Sequence, residues 1–209
     1  WLNGHLVGGW PYGYASWRVD LTPYVIPGEE NQLAIRLDNP PNSSRWYPGG
    51  GIYRNVWLVK THAVHVGQWG TIVKARDVSN SSAIIDLEVD IDNDSKEDAN
   101  INVITHIFLL NADGSRGNKP VATFVPSEIT IKPGERIKTH HSIELKDPLL
   151  WGPPPTQNPN MYVASTALLQ NDRVIDKYDT PFGIRSITLD SEKGVFVNGE
   201  HIFIKGVNL

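Results

Sequence analysis

Hydrophobic and polar positions alternate most cleanly over residues 84–92, where IIDLEVDID sets Ile85, Leu87, Val89 and Ile91 on one face and Asp86, Glu88, Asp90 and Asp92 on the other. A period of two is the mark of a half-buried strand. After a polar turn, residues 100–110 carry Ile101, Val103, Ile107 and Leu109 in step, so the pattern predicts an antiparallel hairpin between these two segments. Residues 136–145 form a third candidate, with Ile137, Ile143 and Leu145 inward after a Pro133-Gly134 turn. Residues 162–170 and 173–178 make a further hairpin across Asn171-Asp172. Short strands without helical segments predict an antiparallel sandwich of the immunoglobulin-like kind over about residues 64–179.

Composition reinforces the β reading. Gly and Pro make up 33 of the 209 residues and fall between the apolar runs, above the ~12% of average usage. Residues 1–60 differ from the rest, with five Trp, five Tyr, no Phe and a Gly/Pro-rich loop over residues 40–51. That shift places a domain boundary within residues 61–66. The aromatic density has two readings: pyranose C–H faces stack on aromatic rings, and sandwich cores are also built from large rings.

Charge and motif content exclude several classes. The net charge is −4 with basic residues scattered along the chain, so the basic stripe that grips a phosphate backbone is missing and no nucleic acid is expected as a partner. No apolar run exceeds four residues, against the ~20 of a spanning helix, so no membrane partner is expected. Cysteine is absent, which removes thiol catalysis, disulfides and Cys-based zinc sites. The acidic stretch over residues 90–95 has Ser95 where a calcium loop needs Gly and Ile101 where it needs Glu, and reads as a solvated hairpin turn. His140 and His141 are neighbours on a strand and point to opposite faces, so they cannot share a metal. No nucleophile elbow, phosphate loop or HExxH helix occurs. None of the acidic residues stands out as a catalytic carboxylate.

Both ends read as cut. The chain opens on WLNG, without an initiator Met, as the end of a strand entering a turn at Asn3-Gly4, and the alternation at Ile202 and Ile204 is still running near Leu209.

The string SRWYPGGGIYRNVWLV, residues 44–59, resembles the signature of glycoside hydrolase family 2, the group of β-galactosidases, β-glucuronidases and β-mannosidases. The preceding residues are similar to that family's sugar-binding domain, in the Asn3-Gly4 hairpin, the turn at Asp20-Leu21-Thr22 and the turn at Gly28-Glu29-Glu30-Asn31. DPLLW at residues 147–151 with PNMY at 159–162, FGIR at 182–185, FVNG at 196–199 and IKGVN at 204–208 resemble the close of the immunoglobulin-like domain, the linker leaving it and the lead-in to a (β/α)₈ barrel.

The resemblance implies an all-β chain in three parts: residues 1–63 as the C-terminal part of a jelly-roll sugar-binding domain, 64–180 as an immunoglobulin-like sandwich, and 181–209 as linker and barrel start. It implies a longer parent that hydrolyses terminal β-galactosides with retention, through two Glu residues beyond residue 209, so that this chain alone is inactive. Retention needs two carboxyl groups ~5 Å apart, one to attack the anomeric carbon and one to protonate the leaving oxygen. No catalytic residue and no cofactor is assigned here. Arg45, seven positions before Ile52, is implied to face the sugar, where a planar guanidinium could hold adjacent hydroxyls; the alternative is a loop anchor at a domain interface. Asn208, on the first barrel strand, is the second substrate-binding candidate. Arg54 and Arg185 are read as hydrogen-bonding and ion-pairing anchors, and Trp46, Tyr47 and Tyr53 as loop packing. Expected partners are a β-linked glycoside and the barrel of the parent chain. A homo-oligomer is compatible with the reading, and a periplasmic or secreted setting suits a polysaccharide-degrading parent. A β-glucuronidase or β-mannosidase parent, and a free-standing carbohydrate-binding module, are the rival readings. Half a jelly roll should expose a broad apolar face or unpaired edges over residues 1–60, whereas residues 66–180 should close a complete core.

Overall fold

The computed structural model describes residues 1–42 and 49–206. They are all-β apart from one 3-10 turn at Thr22–Tyr24, and the chain divides into two compact units, Trp1–Leu58 and Val59–Leu209.

The second unit holds the regular structure. Eight strands, β1 (Val64–Arg76), β2 (Ser82–Asn93), β3 (Ala99–Leu109), β4 (Ala122–Thr123), β5 (Ser127–Ile131), β6 (Arg136–Lys146), β7 (Tyr162–Gln170) and β8 (Arg173–Phe182), are followed by β9 (Ile187–Asp190), β10 (Gly194–Val197) and β11 (Glu200–Ile202). One sheet runs β1-β2-β6 and the other β4-β3-β7-β8, with β5 also on β3; β9, β10 and β11 form a separate antiparallel meander. Every pairing within the two large sheets is antiparallel. With β1, β2, β6 as A, B, E and β3, β7, β8 as C, F, G, this is the strand order of an immunoglobulin sandwich.

The alternation expected of β2 is met: Ala83, Ile85, Leu87, Val89 and Ile91 are buried against Ile101, Val103 and Ile107 of β3 and Leu168 of β7 in one core. Removing such side chains from water, at ~25 cal/mol per Å² of apolar surface, is what holds the sheets together. The β7–β8 hairpin forms as expected, with Gln170 opposite Arg173 and both Asn171 (φ 51°) and Asp172 (φ 58°) in the left-handed region that a type I′ turn demands.

The expected β2–β3 hairpin does not form. The two strands lie in opposite sheets: β2 pairs with β1 and β6, and β3 with β7, β4 and β5. Apolar alternation fixes which face of a strand is buried, but a hairpin and a sheet-to-sheet corner both fit the polar stretch between them. The corner is built on Asn93, which is fully buried. Its Nδ2 donates to the carbonyls of Glu97 and Ile131, both at 2.9 Å, and its Oδ1 accepts from the Ser95 amide at 3.0 Å and the Ser95 hydroxyl at 2.6 Å. Asp92 also departs from the solvent face predicted for it, being 9% exposed beneath the Arg136 guanidinium.

β1 carries an irregularity between Val66 and Thr71 that bends the strand. At its apex Trp69 takes φ 51° and is 62% exposed, while a Cβ on Gly70 would stand 2.6 Å from the Gly67 carbonyl oxygen and 2.9 Å from that of Asp90. Glycine is required at this close approach.

The first unit is organised by turns. Leu2 and His5 exchange two 2.9 Å hydrogen bonds around Asn3 (φ 50°) and Gly4 (φ 84°), the expected hairpin turn. Asn31 closes the second turn, its Oδ1 accepting from the Asn3 side chain and the Ile26 amide and its Nδ2 donating to the carbonyls of Ile26 and Glu29. At the third, the Thr22 amide donates to the Asp20 carboxylate at 2.9 Å. Beyond isolated bridges, no ladder strand forms among the described residues of this unit, and Leu2 is its one fully buried side chain. The apolar exposure expected of residues 1–60 and the closed core expected of 66–180 are both present.

Candidate functional site

The two substrate-binding candidates, Arg45 and Asn208, lie outside the described residues, as do Trp46 and Tyr47. Downstream of Arg45, Tyr53 is exposed and carries the Arg54 guanidinium over its ring, 5.2 Å from the centroid. Tyr53 does not pack into a core. Trp1, Trp10, Trp17 and Trp57 are likewise open to solvent, Trp57 at 77%, so these four indoles do not serve as a core.

Arg185, expected as a polar anchor, sits over the indole of Trp151 at 4.8 Å, a cation–π contact. The glycine before Ile184 permits it, because a Cβ on Gly183 would come within 2.8 Å of the Trp151 side chain.

Around that ring pair the structure assembles a polar cluster that sequence reasoning missed. Asn198 and Gly199, both at positive φ, turn β10 into β11. The Asn198 side chain leaves this turn and reaches the segment between β6 and β7. Its Nδ2 donates to the Trp151 carbonyl and to Gln157 Oε1, both at 2.8 Å, and its Oδ1 accepts from the Ser186 amide at 3.0 Å. Gln157 returns a bond from Nε2 to the Val197 carbonyl at 3.0 Å. The Trp151 amide donates to the Ile184 carbonyl at 2.8 Å, and Asn160 Nδ2 to the Leu150 carbonyl at 2.9 Å. Tyr162 Oη accepts the Leu149 amide at 2.8 Å, and burial raises its pKa. The visible signal was Asn198-Gly199 as a turn dipeptide; the partners Trp151 and Gln157, 47 and 41 residues away in sequence, leave no local trace.

Several carboxylates of the second unit are held in their ionised form by neighbours. Ser142 and then Arg76 hold Asp86 below the usual carboxylate range, Lys138 does so for Glu88, and backbone amides for Asp190. A general acid needs the opposite displacement. Burial holds the His141 imidazole below its ordinary value, with His140 adding to the effect. Its Nε2 lies 3.1 Å from the Ser127 hydroxyl and its ring packs edgewise on Phe124. His140, as its position on the strand predicts, faces solvent. Among the described residues no three His, Asp or Glu side chains gather as a metal site, and no helix is long and apolar enough to cross a membrane.

Comparison with known proteins places this geometry. The family model for glycosyl hydrolases family 2 matches residues 64–185, the whole of the two large sheets and the linker after them. The β-galactosidase BoGH2A of Bacteroides ovatus is 40% identical over 99% of this chain, which spans 23% of that protein. A β-glucuronidase of Formosa agariphila is 32% identical over 99% of the chain, spanning 22% of it. Among solved structures, a glycosyl hydrolase family 2 member from Bacteroides cellulosilyticus superposes with a TM-score of 0.86 at 32% identity, over 99% of this chain and 27% of that one. The chain thus spans about a quarter of the length of these relatives, and it belongs to glycosyl hydrolase family 2.

Proposed function

We propose that the chain is the accessory part of a retaining exo-glycosidase that removes terminal β-galactosyl residues. Residues 1–63 are the end of its sugar-binding domain, 64–180 its immunoglobulin-like sandwich and 181–209 the lead-in to a (β/α)₈ barrel. The single observation that carries this reading is the 40% identity, along nearly the whole chain, to a protein named as a β-galactosidase. In this reading Arg45 and Asn208 touch the sugar. The guanidinium offers a planar fork of donors to adjacent hydroxyls and the carboxamide offers one donor pair and one acceptor. The acid/base and nucleophile, a pair of carboxyl groups ~5 Å apart, belong to the barrel, so this chain by itself does not turn over substrate. A β-linked glycoside and the remainder of the parent chain are its partners.

A second reading, β-glucuronidase, is favoured by the 32% identical Formosa agariphila relative. Hydrolysis of chromogenic β-galactoside, β-glucuronide and β-mannoside by the full-length protein, by its Arg45→Ala variant and by residues 1–209 alone separates the readings. Turnover of the galactoside only, lost by ~10²-fold or more in Arg45→Ala and missing in residues 1–209, is the expected result. Turnover of the glucuronide only selects the second reading, and activity in residues 1–209 overturns the assignment of chemistry to the barrel.

A further inference from the structure

The Asn198 cluster joins two parts of the second unit that share no sheet: the segment between β6 and β7, and the β9–β11 meander. One carboxamide commits both of its N–H donors and its oxygen to it, with two donations to the Trp151 and Gln157 oxygens and one acceptance from Ser186. The backbone is committed as well, the Asn198 amide donating to the Ser186 carbonyl at 3.0 Å. Glycine clears the way, since a side chain on Gly152 would collide with the Gln157 amide. The meander has little else to fix it. All four residues of β9 are exposed, and β10 contributes one buried side chain, Val197.

We propose that Asn198 is a positioning residue: through Trp151 and Gln157 it sets the orientation of the meander, and hence of the backbone that leaves β11 after Ile202, against the sandwich. The inference rests on the glycosidase reading, in which that backbone runs into the barrel carrying Asn208. A short, weakly buried meander has little packing to define its angle, so three hydrogen bonds across to the other segment define it instead, from Asn198 to Trp151 and Gln157 and from Gln157 to the Val197 carbonyl. Displacement of a substrate-contacting segment by ~1 Å is enough to slow a reaction without weakening binding in proportion.

The test uses the full-length enzyme and two variants. Asn198→Gly keeps the positive φ accessible and removes the carboxamide; Gln157→Met removes one arm and leaves the Ser186 contact. The expected result for Asn198→Gly is a kcat lowered about tenfold with KM within about twofold, together with faster hydrogen exchange at the Ser186 and Asn198 amides. Gln157→Met should shift both readouts the same way by less, and it carries the test if Asn198→Gly does not fold. A fall in thermal midpoint with unchanged kcat would make Asn198 merely structural and overturn the proposal, as would unchanged exchange at Ser186. If the wild type hydrolyses none of the three glycosides, the glycosidase reading fails, and the exchange comparison alone decides whether Asn198 couples the two segments.

Discussion

Arg136 holds Asp92 in a two-pronged grip, Nε donating to Oδ1 at 2.5 Å and Nη2 to Oδ2 at 2.7 Å. The residues stand opposite each other at the end of the β2–β6 ladder, and hydrogen bonding to Asp92 raises the pKa of the guanidinium. A planar fork matching both carboxylate oxygens is the strongest geometry for such a pair. The carboxylate is nearly buried whereas the guanidinium is half-exposed. Losing the arginine removes two charge-assisted hydrogen bonds from a carboxylate with little access to water, beside which His65 Nε2 stands 4.0 Å from Oδ2. Arg136→Met should lower unfolding free energy by about 1–3 kcal/mol, read from urea denaturation. An effect within about 0.5 kcal/mol would place the pair among surface bridges of no consequence.

Asn93 makes a larger difference. Asn93→Ala removes the partner of the buried Ile131 carbonyl and those of the Glu97 carbonyl and the Ser95 amide and hydroxyl at once, and should cost about 2–4 kcal/mol. Asn93→Asp keeps the acceptor side and sets a carboxylate against the Ile131 carbonyl, so it should be no better tolerated. Equal stability of wild type and Asn93→Ala would show that water replaces the side chain at the corner.

Thr105 and Thr166 face each other across β3 and β7, their hydroxyl oxygens 2.9 Å apart and both residues buried. Either Thr→Val change alone leaves one hydroxyl unpaired and should destabilise by about 1–2 kcal/mol. The double change removes both polar groups at nearly constant shape and should recover most of that. A double-mutant cycle measures the coupling, and additive costs would contradict the pairing.

Stability should also depend on pH through His141. Burial favours its neutral form, so its folded pKa lies below the unfolded value of 6.5. The unfolded chain then binds the proton first. The contribution is fully present above pH 6.5 and is lost as pH falls through the folded value. The carboxylates held low by Ser142, Arg76 and Lys138 act in a separate window, below their ordinary values of 3.8 for Asp86 and 4.5 for Glu88. His141→Asn should therefore flatten the loss of stability between pH 7.5 and 5 relative to wild type. Parallel profiles for the two proteins would exclude His141 as the group responsible.

At the apex of the β1 irregularity, Gly70→Ala should cost more than about 2 kcal/mol because the new methyl meets two carbonyl oxygens. Trp69→Gly, in contrast, relieves a positive φ at an exposed bulky residue and should be neutral or stabilising by up to about 1 kcal/mol. Thermal midpoints of the two variants moving in the same direction would refute the assignment of strain.

The buried face of β2 and the β7–β8 turn could be read in the sequence because each rests on local chemistry: a period of two, and an Asn-Asp pair that tolerates the left-handed region. The partner of β2 could not be, because the same alternation serves a strand in either sheet. The corner at Asn93 was equally hidden, since DNDSKEDA looks like solvated loop until one knows that its first Asn is inside. For the candidate site the difference is sharper. Arg45 and Asn208 were reached through family resemblance and not through any pattern of charge or spacing. The Asn198 cluster depends on contacts to Trp151 and Gln157 that span 40 or more residues, which no short window of sequence contains.

The bend in β1 has a last consequence. By leaving the β2 ladder at Val66, β1 brings its Val66 amide to the Asp176 carboxylate, at 2.8 Å, and its Thr71 hydroxyl to that of Thr180, on the outermost strand of the opposite sheet. Across the other seam, His141 of β6 reaches Ser127 of β5. The two sheets are thus stitched along both margins, much as a barrel is closed. An open margin is an invitation for another molecule to add a strand and begin a fibril. Side-chain bonds across both seams occupy part of each edge and make the sandwich a poorer template for self-assembly, whereas the solvent-facing aromatic side chains among the described residues of the first unit are where unwanted association would start.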